Sequence, residues 1–190
     1  MKRRSVVPGL ILALASLGVL LALERPGHSA RADREKERVM VIDVACDART
    51  YKQNNVDPAA QGSHRGDTFI VAGKIYAGGT IPSGDGVFSP DNPGSIGKWI
   101  CRGVWLISSE QLAAGVTPGF DTTQIYLLPD EGSQLFSEGL EGSAPTLRAV
   151  TGGTGTMKGA AGQVQQELLG TNVTGLFNIR FTFRLSREDK

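Results

Sequence analysis

Residues 149–164 read AVTGGTGTMKGAAGQV, five glycines in sixteen residues between two strand-like runs. A helix does not tolerate that composition, because each interior glycine costs about 0.5–1 kcal/mol relative to alanine. Gly152, Gly153 and Gly155 suit backbone at positive φ or in very close packing. Gly159 and Gly162 suit a second bend or bulge. A phosphate cradle fits poorly, since Gly152-Gly153-Thr154-Gly155 lacks the Gly-Lys-Ser/Thr ending and opens no helical pattern. The stretch reads as the corner geometry of a sheet, so it speaks to fold more than to chemistry.

Outward from this corner the chain is strand after strand. Residues 39–46 (VMVIDVAC) and 67–77 (DTFIVAGKIYA) are rich in β-branched and aromatic side chains, and 96–107, 120–128, 134–140, 147–151, 163–169 and 176–185 complete eight. Pro129-Asp130-Glu131-Gly132 marks a hairpin turn, and 108–115 a short helical turn. Residues 47–65 form a polar loop. Residues 78–97, dense in glycine and proline, form a long loop placed to cover a barrel mouth. In the last strand Phe177, Ile179, Phe181, Phe183 and Leu185 share one face, and Asn178, Arg180, Thr182 and Arg184 the other, the period of a half-buried antiparallel strand. Eight short strands with almost no helix imply an all-β, eight-stranded antiparallel barrel. Closure removes exposed edges and leaves room for one small ligand.

The whole chain is 190 residues with a formal charge of +1, 21% charged and 40% hydrophobic. That is one ordinary globular domain, with no electrostatic signature of a nucleic-acid binder. Met1-Lys2-Arg3-Arg4, the apolar run 9–23 and Ala30-Arg31-Ala32 have the order of an export signal, giving a mature start at Asp33 and a secreted or extracytoplasmic protein. The alternative is an uncleaved membrane anchor, and Arg3-Arg4 leaves Sec and twin-arginine export both open. The domain plan is thus a signal over 1–32, a charged linker over 33–38, the barrel over 39–185 and a polar tail over 186–190. Cys46 and Cys101 are the only cysteines; in an exported chain that count suggests one disulfide, with two buried free thiols as the alternative. Asn172-Val173-Thr174 is a glycosylation sequon, meaningful only in a eukaryotic secretory host.

The glycine-rich stretch resembles the late motif of the allene oxide cyclase and dirigent barrels, V-T-G-G-T/A-G-x-x-x-G-A-x-G-x-V. Gly66-Asp67-Thr68-Phe69 is similar to the start of their second strand, Gly94-Ser95-Ile96-Gly97 through Cys101 to a later G-x-x-x-G…C segment, and Gln124-Ile125-Tyr126-Leu127 with Gly132-Ser133-Gln134 to the strands before the signature. The resemblance spans about 39–185. It implies a calycin-like barrel, a hydrophobic unsaturated small molecule in a shaped pocket, and cofactor-free isomerising cyclisation or stereoselective coupling. It also implies a homo-oligomer, for which the Phe177/Phe181/Phe183 face would supply an outer apolar surface.

In the resembled families the first strand carries a cavity-facing acid, which here is Asp43. The cyclases place Asn two residues later, where this chain has Ala45. Asp43, Tyr126 and Glu138 are the candidate catalytic groups, and Tyr76, Trp99, Trp105, Gln124, Gln134 and Phe136 the candidate ligand-binding ones. Asp43 has a second reading, as a solvent-facing or loop-capping acid, and the tyrosines as core or rim residues. No His, Cys and carboxylate cluster points to a metal. Convergence of Asp43, Tyr126 and Glu138 inside the barrel would favour catalysis; outward placement would favour a carrier or an envelope-associated structural barrel.

Overall fold

The computed structural model describes residues 37–142 and 145–187. The signal over 1–32 and most of the linker and tail lie outside the described residues. Eight antiparallel strands, β1 (Arg38–Asn54), β2 (Thr68–Ala77), β3 (Gly97–Trp105), β4 (Phe120–Leu127), β5 (Gln134–Glu141), β6 (Thr146–Thr154), β7 (Ala160–Thr171) and β8 (Phe177–Arg187), pair in sequence order. The barrel closes through β1 and β8, from Arg38↔Leu185 to Ala45↔Asn178. One short helix, α1 (Ser109–Ala113), lies between β3 and β4, started by a capping box of Ser108 and Gln111.

The glycine-rich corner does what its composition requires. Gly153 lies where a Cβ would stand 2.5 Å from the Met157 carbonyl oxygen, and Gly162, at φ +135°, where a Cβ would overlap the Arg184 carbonyl of β8. With no side chain in the way, β6 and β7 turn tightly and Met157 folds into the barrel's base.

The interior is packed. Ile42, Val44, Ile75, Trp99, Tyr126, Leu135, Val164, Ile179, Phe181, Phe183 and Leu185 form one core. Tyr126 meets Phe181 and Phe183 edge-on at 5.2 and 4.9 Å. The alternation of β8 is as the sequence implies, but its apolar face points inward. Phe181 and Phe183 are fully buried within one chain, and only Phe177 is exposed. They are not an outer surface awaiting a second subunit.

The long 78–96 segment does not cover a mouth. It runs as a strap along the outer wall, where Gly84 and Gly86 N–H donate to the Leu169 and Thr171 carbonyls, both at 2.7 Å, and Val173 N–H donates to the Phe88 carbonyl at 3.0 Å. Beneath it Ala45, Tyr76, Ile81, Phe88 and Leu169 form a second, smaller core. Residues 42–46 of the first strand are therefore buried on both faces, which is why this stretch is apolar apart from Asp43.

Two further differences from the sequence reading have local causes. β1 continues to Asn54 rather than ending at Cys46, because a register slip between Asp47 and Lys52 lets it stay paired with β2. Ala72 N–H donates to Thr50 Oγ1 at 2.8 Å across the slip. Cys46 and Cys101 are free and buried. They stand on β1 and β3 with β2 between them, Cys46 opposite Gly73 and Cys101 opposite Val71. Two strand spacings, about 9–10 Å, exceed the Cα reach of a disulfide. The sequon asparagine is also buried, its Nδ2 donating to the Cys46 carbonyl at 2.7 Å.

Candidate functional site

The slip in β1 reverses which residues face inward. Gln53 becomes the cross-strand partner of Phe69, placing Tyr51 and Gln53 on the inner face. Around the end of the barrel formed by the β1–β2, β3–β4, β5–β6 and β7–β8 connections, successive strands contribute Tyr51, Phe69, Trp105, Phe120, Glu141 and Gln166. Phe120 is the register partner of both Trp105 and Glu141. Trp105 and Phe120 meet edge-on at 4.5 Å, Phe69 and Phe120 at 5.6 Å, and Tyr51 stacks on Phe69 at 6.0 Å. These side chains are only half-buried. Leu168 is the register partner of the buried Ile179, so it lies on the inner face, yet it is 57% exposed. An exposed leucine on an inward face means that this end of the barrel is open.

A polar network forms the floor below the rings. Arg148 is completely buried and its guanidinium is saturated. Nη1 donates to Thr122 Oγ1 at 2.7 Å, Glu141 Oε1 at 2.8 Å and the Gly139 carbonyl at 3.2 Å; Nη2 donates to the Thr122 and Ser137 carbonyls at 2.9 and 3.3 Å. Glu141 Oε1 also accepts from Thr122 Oγ1 and, at 2.8 Å, from Gln124 Nε2. Glu141 Oε2 accepts one bond, from Gln166 Nε2 at 3.1 Å. Gln124 is fixed on its other side by the Tyr126 hydroxyl at 2.6 Å and Trp99 Nε1 at 3.3 Å, both donating to Oε1. Burial pushes the Tyr126 phenol well above its ordinary pKa, so it stays a proton donor.

The arrangement thus has a rigid interior and one carboxylate oxygen with hydrogen-bonding capacity to spare, at the open end. The Glu141 side chain is 14% exposed against 0% for Arg148, so Glu141 is the member of the pair that can touch a ligand. Arg148 positions it.

The sequence candidates divide between the two faces. Tyr126, Gln124 and Trp99 lie inside, and Trp105 lies at the mouth. Asp43 and Glu138 do not converge with Tyr126. Glu138 is exposed on the outer face of β5, which also carries Gln134 and Phe136, because Leu135 and Ser137 are the buried alternates. Tyr76 lies outside under the strap, its hydroxyl donating to the Asn92 carbonyl at 2.9 Å. Asp43 is fully buried but on the outer wall. Arg180 Nε donates to Oδ1 and Ile81 N–H to Oδ2, at 2.8 and 2.9 Å, so the acid fastens the strap across the β1–β8 closure. Glu141, Arg148 and Gln166 were not singled out from sequence. Glu141 reads as a turn acid, and the only hint of Arg148 is that it alternates with the apolar Val150.

Two concavities lie at the opposite end, away from this network. One of about 30 Å³ is lined by Met157, Lys158 and Leu185 among others, and an open groove runs beside Arg184 and Gln163. The first holds one water at most.

No family model and no curated protein matches the sequence. Solved structures do. The chain resembles two pterocarpan synthase dirigent proteins, one at TM-score 0.58 and 14% identity over 82% of this chain and 98% of that one. The other stands at 0.57 and 13% over 81% and 92%. It also resembles a pyocyanin demethylase, at TM-score 0.51 and 18% identity over 78% of this chain and all of that one. The architecture is therefore the dirigent-like barrel, as the sequence resemblance implies.

Proposed function

We propose that this protein binds a hydrophobic, unsaturated small molecule at the open end of its barrel, and that Glu141 acts on the bound molecule as an acid–base or charge-stabilising group. The observation that carries this is the pairing of an apolar, half-exposed inner rim (Leu168, Phe69, Trp105, Phe120) with a carboxylate oxygen, Glu141 Oε2, that has one hydrogen-bond partner among the described residues. Such a site directs a cofactor-free cyclisation or coupling by holding a reactive chain in one conformation, an orientation effect worth several kcal/mol. A fixed charge beside the reacting atoms adds to it. The named activities of the dirigent structures support this class of chemistry by likeness of fold. Export through the N-terminal segment and self-association belong to the same reading.

A carrier without catalysis is the second reading, favoured by the outward placement of Asp43 and Glu138. Native mass spectrometry of protein purified from its host should reveal a retained small molecule. Leu168→Asp should release it. Glu141→Gln should keep binding it while conversion falls about 10²–10⁴-fold, the usual span for a lost acid–base group. Equal conversion in Glu141→Gln removes Glu141 as the acting group, and no conversion even by the unaltered protein leaves the carrier; retention in Leu168→Asp moves the site away from the mouth.

A further inference from the structure

Resting on the reading that the mouth binds a hydrophobic, unsaturated small molecule, we propose that its ligand class is the aromatic cation, and that free carboxylates are turned away. The Arg148–Glu141 pair is neutral as a whole but is oriented, with the cationic partner sealed in the floor and the anionic one reaching the opening. A second acid stands at the rim. Asp67 is buried and accepts from Val56 and His64 N–H, both at 2.8 Å, and from Gln53 Nε2 at 3.2 Å, all uncharged donors. Gln53 in turn accepts from the Tyr51 hydroxyl at 2.6 Å, joining Asp67 to the aromatic rim.

The other charges near this end look away. Lys52 and Arg102 alternate to the outer face and are exposed, as are Asp121 and Glu138, and Arg65 is exposed on its loop. Arg49 is held by Asp47 and Asp91. His64 is half-buried on its loop, and its backbone N–H donates to the Asp67 carboxylate. A ligand entering the mouth therefore meets π-faces and the Glu141 carboxylate, with the charge of Asp67 buried behind the rim and no exposed inner cation among the described residues. A ring quadrupole attracts a cation at its face, and a carboxylate attracts the same charge. An anionic ligand would be desolvated against both.

The test uses three probes with one ring system, titrated calorimetrically into the full-length protein: 2-naphthylmethylammonium, 2-naphthylmethanol and 2-naphthoate. The cation should bind at least about tenfold more tightly than the anion, with the neutral alcohol between, and the gap should narrow as salt rises. Leu168→Arg, at an exposed position that the fold tolerates, should reverse the order. Naphthoate binding as tightly as the ammonium, or the alcohol binding best with the two ions equal, overturns the charge preference and leaves the mouth as a binding site. No heat with any of the three removes the binding reading as well.

Discussion

Asp43 and Arg148 are two charged residues buried in one small barrel, and they do different work. Asp43 is fully buried while the Arg180 side chain that holds it is 28% exposed. Asp43→Asn should therefore cost about 2–3 kcal/mol, less than the 3–5 of a wholly buried pair, because the freed guanidinium can turn to water. Ligand affinity at the mouth should stay as it is, since the substitution is on the other side of the wall. Urea denaturation and a binding titration on the same sample check both halves. Arg148 has no such exit. Arg148→Met leaves Glu141 Oε1 and three carbonyls short of a donor, and should cost about 3–5 kcal/mol. Arg148→Met with Glu141→Gln should recover part of that loss, because no unpaired charge is then left behind.

The strap is the element that most separates this barrel from a bare one. It docks through Phe88, Ile81 and Tyr76 on one side and through short runs of backbone bonds to β7 and the β7–β8 turn on the other. Phe88→Ala would cost about 3–5 kcal/mol in a central core. In a peripheral one the loss is limited by the free energy of undocking the strap, about 2–3 kcal/mol. The expected signature is proteolytic cleavage within 78–96 under conditions where the rest of the barrel survives. Cleavage spread evenly over the chain would show that strap and barrel open together. The slip in β1 is the second decisive element. It lengthens the strand past Cys46 and turns Tyr51 and Gln53 into the mouth, and no periodicity in a polar, mixed segment announces such a change of parity.

At the scale of the whole molecule the buried thiols and phenol make the fold sensitive to alkali. Burial raises the Cys46 and Cys101 thiols and the Tyr126 phenol. A raised pKa in the fold means that the folded state holds its proton more tightly than the unfolded chain does. That stability is fully present below the unfolded thiol value, about 8.5, and is lost as pH rises through the folded values. Thermal midpoints should fall steadily above about pH 8.5. A thiol reagent at neutral pH should find no reactive cysteine in the native protein and two after unfolding; one disulfide and no thiols would contradict the barrel geometry.

Sequence alone determined the eight strands, their antiparallel order and the closed barrel. Those features are local: glycine where no Cβ fits, turn residues between β-branched runs, and clean alternation in β8. It named Tyr126, Gln124 and the two tryptophans as candidates without a direction; they lie on the inner face, whereas Asp43, Tyr76, Gln134, Phe136 and Glu138, named with them, lie on the outer one. What only the tertiary structure decided is which side of a doubly buried strand is the inside. Asp43 lies in an apolar run because the strap covers one face and the core the other, so its neighbours carry no sign of direction. Glu141 and Arg148 meet through cross-strand pairing of β4, β5 and β6. Their meaning depends on a carboxylate at a strand end and a guanidinium seven residues on reaching the same buried floor. That convergence arises from the pairing of neighbouring strands, which brings together side chains whose local sequence reads as an ordinary turn and an ordinary strand.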